Sequence, residues 1–467
     1  MCKDISTFFE SIKTKKIAFI GMGVTNFDII RMFLQKGLNV TVCDKCNRDA
    51  QLEKISVLEK EGASFCLGEH YLSNLTDFDV IFRSPGVYFN RPELLQARRD
   101  GVVVTSEMEV FFQFCPCKII AITGSDGKTT TSSLIAAMLK EEGLRVHLGG
   151  NIGKALLPEI EAYQPDDYCV VELSSFQLLS MRQSPDIAVI TNISPNHLDV
   201  HGTMEEYVQA KMNLLLHQDA FSTTVLNADN EQTALLSSMV RGKLRWFSRR
   251  LKQSRGAYVD SEGEIFFSNG ENSYNIINCS QILLPGVHNV ENYLTAIAAV
   301  GDLVKPAAIQ KVARNFSGVA HRIEFVRQVH GVKWYNDSIA TSPTRTIAGL
   351  HSFSQKLIII AGGYDKKISY APLAPHLIKR VKILILMGDT AKKIQQAVLS
   401  QPDYDQKKLP IFIVDSMEDA VKKAEQLATS GDIVSLSPAS ASFDAYQNFE
   451  KRGEHFKDLV MNIGEEN

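Results

Sequence analysis

The chain is expected to fold as three α/β domains: a Rossmann-like N-terminal domain, a P-loop-type central domain with a small β insertion, and a Rossmann-like C-terminal domain. Three observations predict this. Short apolar runs alternate with helical patterns through most of the 467 residues, the rhythm of parallel sheets wrapped by helices. A glycine turn, TGSDGKTTT, joins an apolar run directly to a helical pattern near residue 124. Between about 241 and 285 the rhythm changes to short strands with turns such as DSEG and SNGENS.

Taken in order, IAFI (17 to 20), NVTVCD (39 to 44), DVIFRSPG (79 to 86) and GVVVTSE (101 to 107) are the strands of the first domain. The run at 119 to 122 opens the second, and Leu134, Ile135, Met138 and Leu139 fall on one face of the helix that follows. YCVVELSS, DIAVITNIS and STTVLNADN add three strands with polar residues just beyond their ends, where open α/β sheets bind ligands. After NFSGVAHR come VKWYND, KLIIIAGG, VKILILMGD, LPIFIVD and GDIVSLSPA, each a strand closed by a Gly, Asp or Ser loop. The domains are expected at 1–107, 108–318 and 319–467.

A formal charge of -3 with acids and bases mixed along the chain offers no electrostatic case for nucleic acid or a membrane surface. The first residues lack a continuous apolar core before a small-residue cleavage site, and no apolar run approaches the ~20 residues of a membrane span. A cytoplasmic protein is expected. Eight scattered cysteines suit a reducing compartment. Cys43 with Cys46 lacks a second pair at metal spacing, and Cys115 with Cys117 is too tight for that pattern, so the cysteines are not expected to bind a metal.

The central turn differs from the usual P-loop: the spacing rule asks for glycine at position 122, and the glycine stands at Gly124. Strand, turn, Lys128, Thr129 and helix still follow without a gap. Such a helix start offers unpaired N–H groups to an anion, the glycines let the backbone approach, and the lysine adds a cation near terminal phosphates. The hydroxyl of Thr129 or Thr130 is placed to ligate magnesium. Glu172 ends one buried strand and His197 lies in a loop beyond the next, so the two could converge on a cation held jointly with phosphates. Pro195 and Gly202 argue against a helical zinc pair of His197 and His201.

TGSDGKTTT, GGNIG, ELSSFQL, TNISPNHLDVHGTMEEYVQAK, GVHNVEN, AHRIE, YNDSIATSPT and SPASASFDAYQNFEKRGEHF occur in that order. The series resembles the Mur ligases, ATP-dependent amino-acid-adding enzymes of peptidoglycan precursor synthesis, most nearly their D-glutamate-adding branch. The resemblance covers all three domains. It implies ATP, two magnesium ions, and the substrates UDP-N-acetylmuramoyl-L-alanine and D-glutamate, in a protein expected to be a monomer.

It also implies roles. Gly124, Ser125, Asp126, Gly127, Lys128, Thr129 and Thr130 would hold ATP phosphates. Thr129 and Glu172 would hold one magnesium and His197 a second. Lys211 matches a lysine carbamylated in the family, a carboxylate in place of a cation that supports magnesium, and carbamylation requires a lowered lysine pKa. From local sequence alone Lys211 is a solvated helix lysine. Asn289, Asn292, Arg322 and Asp337 would contact the nucleotide. Val24, Thr25, Asn26, Asp44, Ser84, Pro85 and Gly86 would cradle UDP, while Asn151, Gln177 and His197 would meet the muramoyl and alanyl parts. Thr341, Lys366, Ser442, Phe443 and Phe449 would receive D-glutamate. Two departures stand out: Ile339 where many relatives have lysine, and GGYDK in place of GGxGK.

Alternatives differ in what they require. A folylpolyglutamate synthase-like ligase would lack a UDP-binding first domain. Lysine- and diaminopimelate-adding ligases would carry a DNPR-like motif, and none is visible. A regulatory P-loop NTPase would need neither Lys211 nor a UDP site. FIGMGVTNFD invites a dinucleotide cofactor, but Asn26 stands where the third glycine of that fingerprint belongs.

Overall fold

The computed structural model describes residues 4 to 464, apart from the side chains of Val24, Thr25, Ala50 and Asp199. Its strands gather into three sheets, one for each α/β domain. The first holds β1 (Ile17–Ile20), β2 (Val40–Asp44), β3 (Ser64–Leu67), β4 (Val80–Arg83) and β5 (Val103–Thr105) in the order β3-β2-β1-β4-β5. All its pairings are parallel. The order reverses between β1 and β4, so the crevice beyond their carboxyl ends, at Gly21 and Ser84, is where such a sheet takes a ligand.

The second sheet has nine strands: β6 (Lys118–Thr123), β7 (Val146–Gly150), β8 (Tyr168–Glu172), β9 (Ile187–Ile190), β10 (Thr223–Asn227), β11 (Lys243–Ser248), β12 (Arg255–Val259), β13 (Glu264–Asn269) and β14 (Ser273–Asn278). Their order is β14-β13-β12-β11-β10-β9-β6-β8-β7. The short strands expected over 241–285 are therefore a continuation of the central sheet: β11 and β12 join it in parallel, and β13 and β14 close its edge antiparallel. β6 lies between β8 and β9, which brings the loops after Thr123, Glu172 and Ile190 to one edge.

The third sheet comprises β15 (Glu324–Val329), β16 (Val332–Asn336), β17 (Leu357–Gly362), β18 (Val381–Met387), β19 (Ile411–Ile413) and β20 (Ile433–Leu436), ordered β15-β16-β20-β17-β18-β19. β17, LIIIAG, is buried at every position, as a strand covered on both faces must be.

Two compact units emerge. One contains Met1–Ser280 and Glu291–Val312, and with them the first two sheets; the other contains Gln281–Val290 and Ala313–Asn467. Within the first, a single apolar cluster runs from Phe19, Phe33 and Phe82 to Phe111, Leu157 and Leu178. Phe19 stacks on Phe82 with centroids 4.7 Å apart, and Phe33 meets both edge-on. Full burial of each such ring contributes roughly 2–3 kcal/mol, and the apolar cluster continues without a break from the first sheet to the second.

Helix starts near the site are fixed by side chains. Thr203 accepts from the Glu206 N–H to open Met204–Leu216, and Ser174 with Gln177 forms a reciprocal capping box before Ser175–Leu178. Caps of this kind contribute about 1 kcal/mol each.

Candidate active site

The glycine loop is built on backbone geometry that only glycine adopts readily. Gly124 has φ of 149° and Gly127 of 77°. A Cβ on Gly124 would fall 1.9 Å from Thr191 Oγ1, and one on Gly127 would fall 2.4 Å from Asn292 Oδ1. The loop is tied to the segment after β9: the Ser125 N–H donates to Asn192 O (2.9 Å), the Asp126 N–H to Asn192 Oδ1 (3.0 Å), and Thr191 Oγ1 to Asp126 O (2.6 Å). Asn292 Oδ1 accepts from Thr131 at 3.3 Å, which places it against the helix that Gly127 opens. Lys128 Nζ curls over the loop, donating to Gly124 O and Ser125 O at 3.0 and 2.9 Å.

Lys211 is not a solvated lysine. It is 1% exposed, and its Nζ donates to Gly124 O at 2.9 Å and Thr123 Oγ1 at 3.3 Å. The Tyr207 ring lies 4.6 Å beneath the ammonium, and Tyr207 OH meets Ser125 Oγ at 3.0 Å. Burial, reinforced by the Lys128 charge and opposed by Asp126, lowers the Lys211 pKa to about 7. Near neutral pH a large fraction of this amine is therefore uncharged and nucleophilic.

Glu172 ends β8 buried, with Oε1 accepting from Asn151 Nδ2 at 2.8 Å. Its Oε2 has no hydrogen-bond partner among the described residues. A buried carboxylate oxygen left unpaired is costly, and an oxygen-seeking cation is the partner that suits it. With the half-buried Thr129 at the helix start, the donor set fits one magnesium ion. His197 stands exposed in the left-handed region (φ 55°), its ring 5.2 Å from that of Phe176. His201 instead is buried, stacked on Phe176 and bonded to Ser175 Oγ at 2.9 Å.

Two cavities meet here. One of about 360 Å³ is lined by Pro85, Gly124, Lys128, Asn151, His197 and Lys211, among others. A second, of about 190 Å³, shares Pro85 and Asn151 and reaches Asn26, Arg83, Glu107 and Gln177. The structure thus brings together the loop, Lys211, His197, Asn151 and the Ser84-Pro85-Gly86 turn, although those motifs lie far apart in the chain. Asn26 Nδ2 donates to Gly21 O at 2.8 Å, and Asp44 Oδ2 accepts from the Met22 N–H at 2.9 Å, so both shape the first glycine turn. The side chains of Val24 and Thr25 lie outside the described residues.

In the other compact unit, Lys366 Nζ reaches Thr341 O at 3.4 Å. Tyr364 bridges to Ala441, and its ring meets that of the exposed Phe443 edge-on at 5.9 Å. Ser442 is buried, and Phe449 packs against His321 with centroids 5.9 Å apart. Asp337 is buried, accepting from Ser437 Oγ (2.9 Å) and the Ile323 N–H (3.3 Å), and burial pushes its pKa up to about 7. The half-buried Arg322 opposes that rise. Asn289 belongs to this unit and donates to Pro285 O at 2.7 Å, whereas Asn292 belongs to the unit that carries the loop.

Several residues carry no local signal. Arg452, 1% exposed, donates to Ser338 Oγ and O, Ser440 O and Ala441 O, and so fixes the segment that presents Ser442. Arg345 Nη1 donates to Ile339 O at 3.1 Å, so a guanidinium stands beside the residue that departs from lysine. Buried Arg83 spans the two sheets of its unit, donating to Val87 O and Phe176 O. Glu107 is buried on the second cavity with a pKa raised by burial to about 7. A cation six residues after Ile339 was the only one of these hints available in the sequence.

Phosphoryl transfer is the class of chemistry that this fold and loop define: the glycine loop and the Lys128 ammonium line one cavity with Asn151, which holds the cation-seeking Glu172 carboxylate. Comparison with known proteins sharpens it. The Mur ligase MurD-like N-terminal domain matches residues 15–106, the Mur ligase middle domain 122–300, and the Mur ligase glutamate ligase domain 321–440. A UDP-N-acetylmuramoylalanine--D-glutamate ligase of Acetivibrio thermocellus is 49% identical over 461 residues, covering 98% of this chain and 99% of its own. One from Clostridium tetani is 44% identical, covering 99% and 100%. The UDP-N-acetylmuramate-alanine ligase of Thermotoga maritima shares the fold at a TM-score of 0.56 and 18% identity, covering 96% of this chain and 100% of its own. The chain belongs to the Mur ligase family, among the UDP-N-acetylmuramoylalanine--D-glutamate ligases.

Proposed function

We infer that the protein adds D-glutamate to the alanyl carboxylate of UDP-N-acetylmuramoyl-L-alanine at the expense of ATP. The reading is supported most by one observation: a buried lysine of lowered pKa, Lys211, bonded to the first glycine of the phosphate loop. In this reading the alanyl carboxylate attacks the γ-phosphate, giving an acyl phosphate and ADP, and the amine of D-glutamate displaces phosphate from the activated carbonyl.

The chain's own residues have distinct tasks. Gly124 to Thr130 cradle the phosphates, and Lys128 leaves the loop carbonyls to follow the transferred group, a preorganised charge where negative charge gathers. Glu172, oriented by Asn151, and Thr129 would hold magnesium, which would supply charge neutralisation at phosphate oxygens. A second ion at His197 is a further proposal; carbamylated Lys211 would give it an oxygen ligand. Asn292 contacts the nucleotide beside Gly127, and Asn289, Arg322 and Asp337 are further nucleotide contacts in this reading. Asn26, Asp44 and Ser84 to Gly86 receive UDP, and Gln177 and Asn151 the sugar and peptide. Lys366, Thr341, Ser442, Phe443 and Phe449 receive D-glutamate. Arg345 supplies the second cation that Ile339 does not, since a dicarboxylate calls for two.

The domain limits proposed are 1–107, 108–318 and 319–467, and the protein acts as a monomer in the cytoplasm. No helix among the described residues is long and apolar enough to cross a membrane. Amino-acid-dependent phosphate release with the UDP substrate tests the reading, and release without any amino acid would favour a simple NTPase.

A further inference from the structure

Away from the loops that carry the chemistry, three thiols converge inside the central domain. Cys115 ends the helix Glu107–Phe114, Cys117 precedes β6, and Cys169 lies in β8; all three are buried. Their sulfurs stand 3.4 Å (Cys115 to Cys117), 3.7 Å (Cys115 to Cys169) and 3.1 Å (Cys117 to Cys169) apart. Sulfurs sharing one tetrahedral zinc at about 2.3 Å lie about 3.8 Å apart, so the triangle needs to open only slightly. The tight Cys-x-Cys spacing that argued against a metal in the sequence is completed by a third thiol 52 residues on, brought in by the parallel pairing of β6 with β8.

A nitrogen donor stands on the neighbouring strand, outside the group that the three sulfurs form. His147 in β7 is paired with Cys169 across β7 and β8, which puts both side chains on one face of the sheet. Its Nε2 is held by Asp167 at 2.8 Å, and its ring stacks on Tyr163 at 3.8 Å. A carboxylate on one ring nitrogen orients the other toward a metal and raises its basicity.

We propose that Cys115, Cys117 and Cys169 bind one zinc ion, with His147 turning in from β7 on binding as fourth ligand, in a structural site that fastens the entry to β6 onto β7 and β8. The site lies three residues before Glu172 on β8, roughly 10 Å along the strand, at the end of the sheet away from the phosphate loop. Zinc binding would release the thiol protons to solvent, as thiolate sites require. Four protein ligands leave no open position, so the ion stabilises and does not catalyse.

The test is metal content and spectroscopy on the full chain, purified and dialysed with zinc in excess and then without it. One equivalent of retained zinc is expected, together with a cobalt derivative showing thiolate charge-transfer and the intense visible bands of a tetrahedral site. Cys169→Ala should lose the metal, Cys43→Ala should keep it, and His147→Ala should weaken it at least tenfold. Wild-type chain without retained zinc, retention in Cys169→Ala, or an intact mass showing the thiols joined as a disulfide would overturn the proposal. Unchanged affinity in His147→Ala would overturn the fourth ligand.

Discussion

Lys211 Nζ donates to the carbonyl of Gly124 at 2.9 Å, so the lysine proposed for carbamylation is fastened to the first glycine of the phosphate loop. Its pKa of about 7 against an ordinary 10.5 sets two expectations. Bicarbonate-dependent activity should rise through pH 7, where the amine loses its proton, and reach a plateau well below 10. Lys211→Ala should abolish turnover, with partial rescue by a short-chain carboxylic acid.

The same burial has a stability consequence. Between about 7 and 10.5 the unfolded chain binds a proton at Lys211 that the folded chain does not, so rising pH stabilises the fold across that window. Lys211→Met removes this dependence. Its melting temperature should exceed that of the wild type most at pH 6, and the gap should narrow as the pH approaches 10. A constant gap would contradict the burial of an uncompensated ammonium.

Asn151 orients Glu172 through Oε1 and leaves Oε2 for a cation. Asn151→Ala is expected to weaken magnesium activation about 10- to 100-fold, the usual effect of removing a partner that orients a ligand. Glu172→Gln should weaken it more. Titration of activity against magnesium at saturating ATP measures both.

Gly127→Ala must hold φ near 77° and push aside Asn292. The backbone cost alone is about 1–2 kcal/mol. Because Asn292 is displaced as well, the Michaelis constant for ATP should rise more than that for the UDP substrate.

Arg345 and Arg452 separate binding from framework. Arg345→Ala should raise the Michaelis constant for D-glutamate at least tenfold with little change in melting temperature, and Ile339→Lys in that background should restore part of the loss. Arg452→Met strands the buried carbonyls of Ser338 and Ser440, while Ala441 keeps the Tyr364 N–H, so it should destabilise its unit by about 2–4 kcal/mol. Equal thermal effects of the two variants would contradict this division.

Strands with long apolar runs, such as LIIIAG and KIIAIT, and the glycine loop before its helix were legible because their signals are local. β3, β7 and β15 were not: SFCL is only half-buried, VHLGG ends in two glycines, and EFVRQV is a mostly half-buried edge strand in which half the residues are polar. Lys211 looks like a surface lysine because its burial comes from Thr123 and Gly124, 88 and 87 residues away. Arg452 and Cys169 were silent for the same reason: their partners are supplied by chain topology, which no short motif encodes.

Phosphate release from ATP in the presence of UDP-N-acetylmuramoyl-L-alanine, compared for D-glutamate, L-glutamate, D-aspartate and no amino acid, tests the central claim most directly. The account predicts release with D-glutamate alone. Release with another amino acid and not with D-glutamate, or equal release with none, would contradict it.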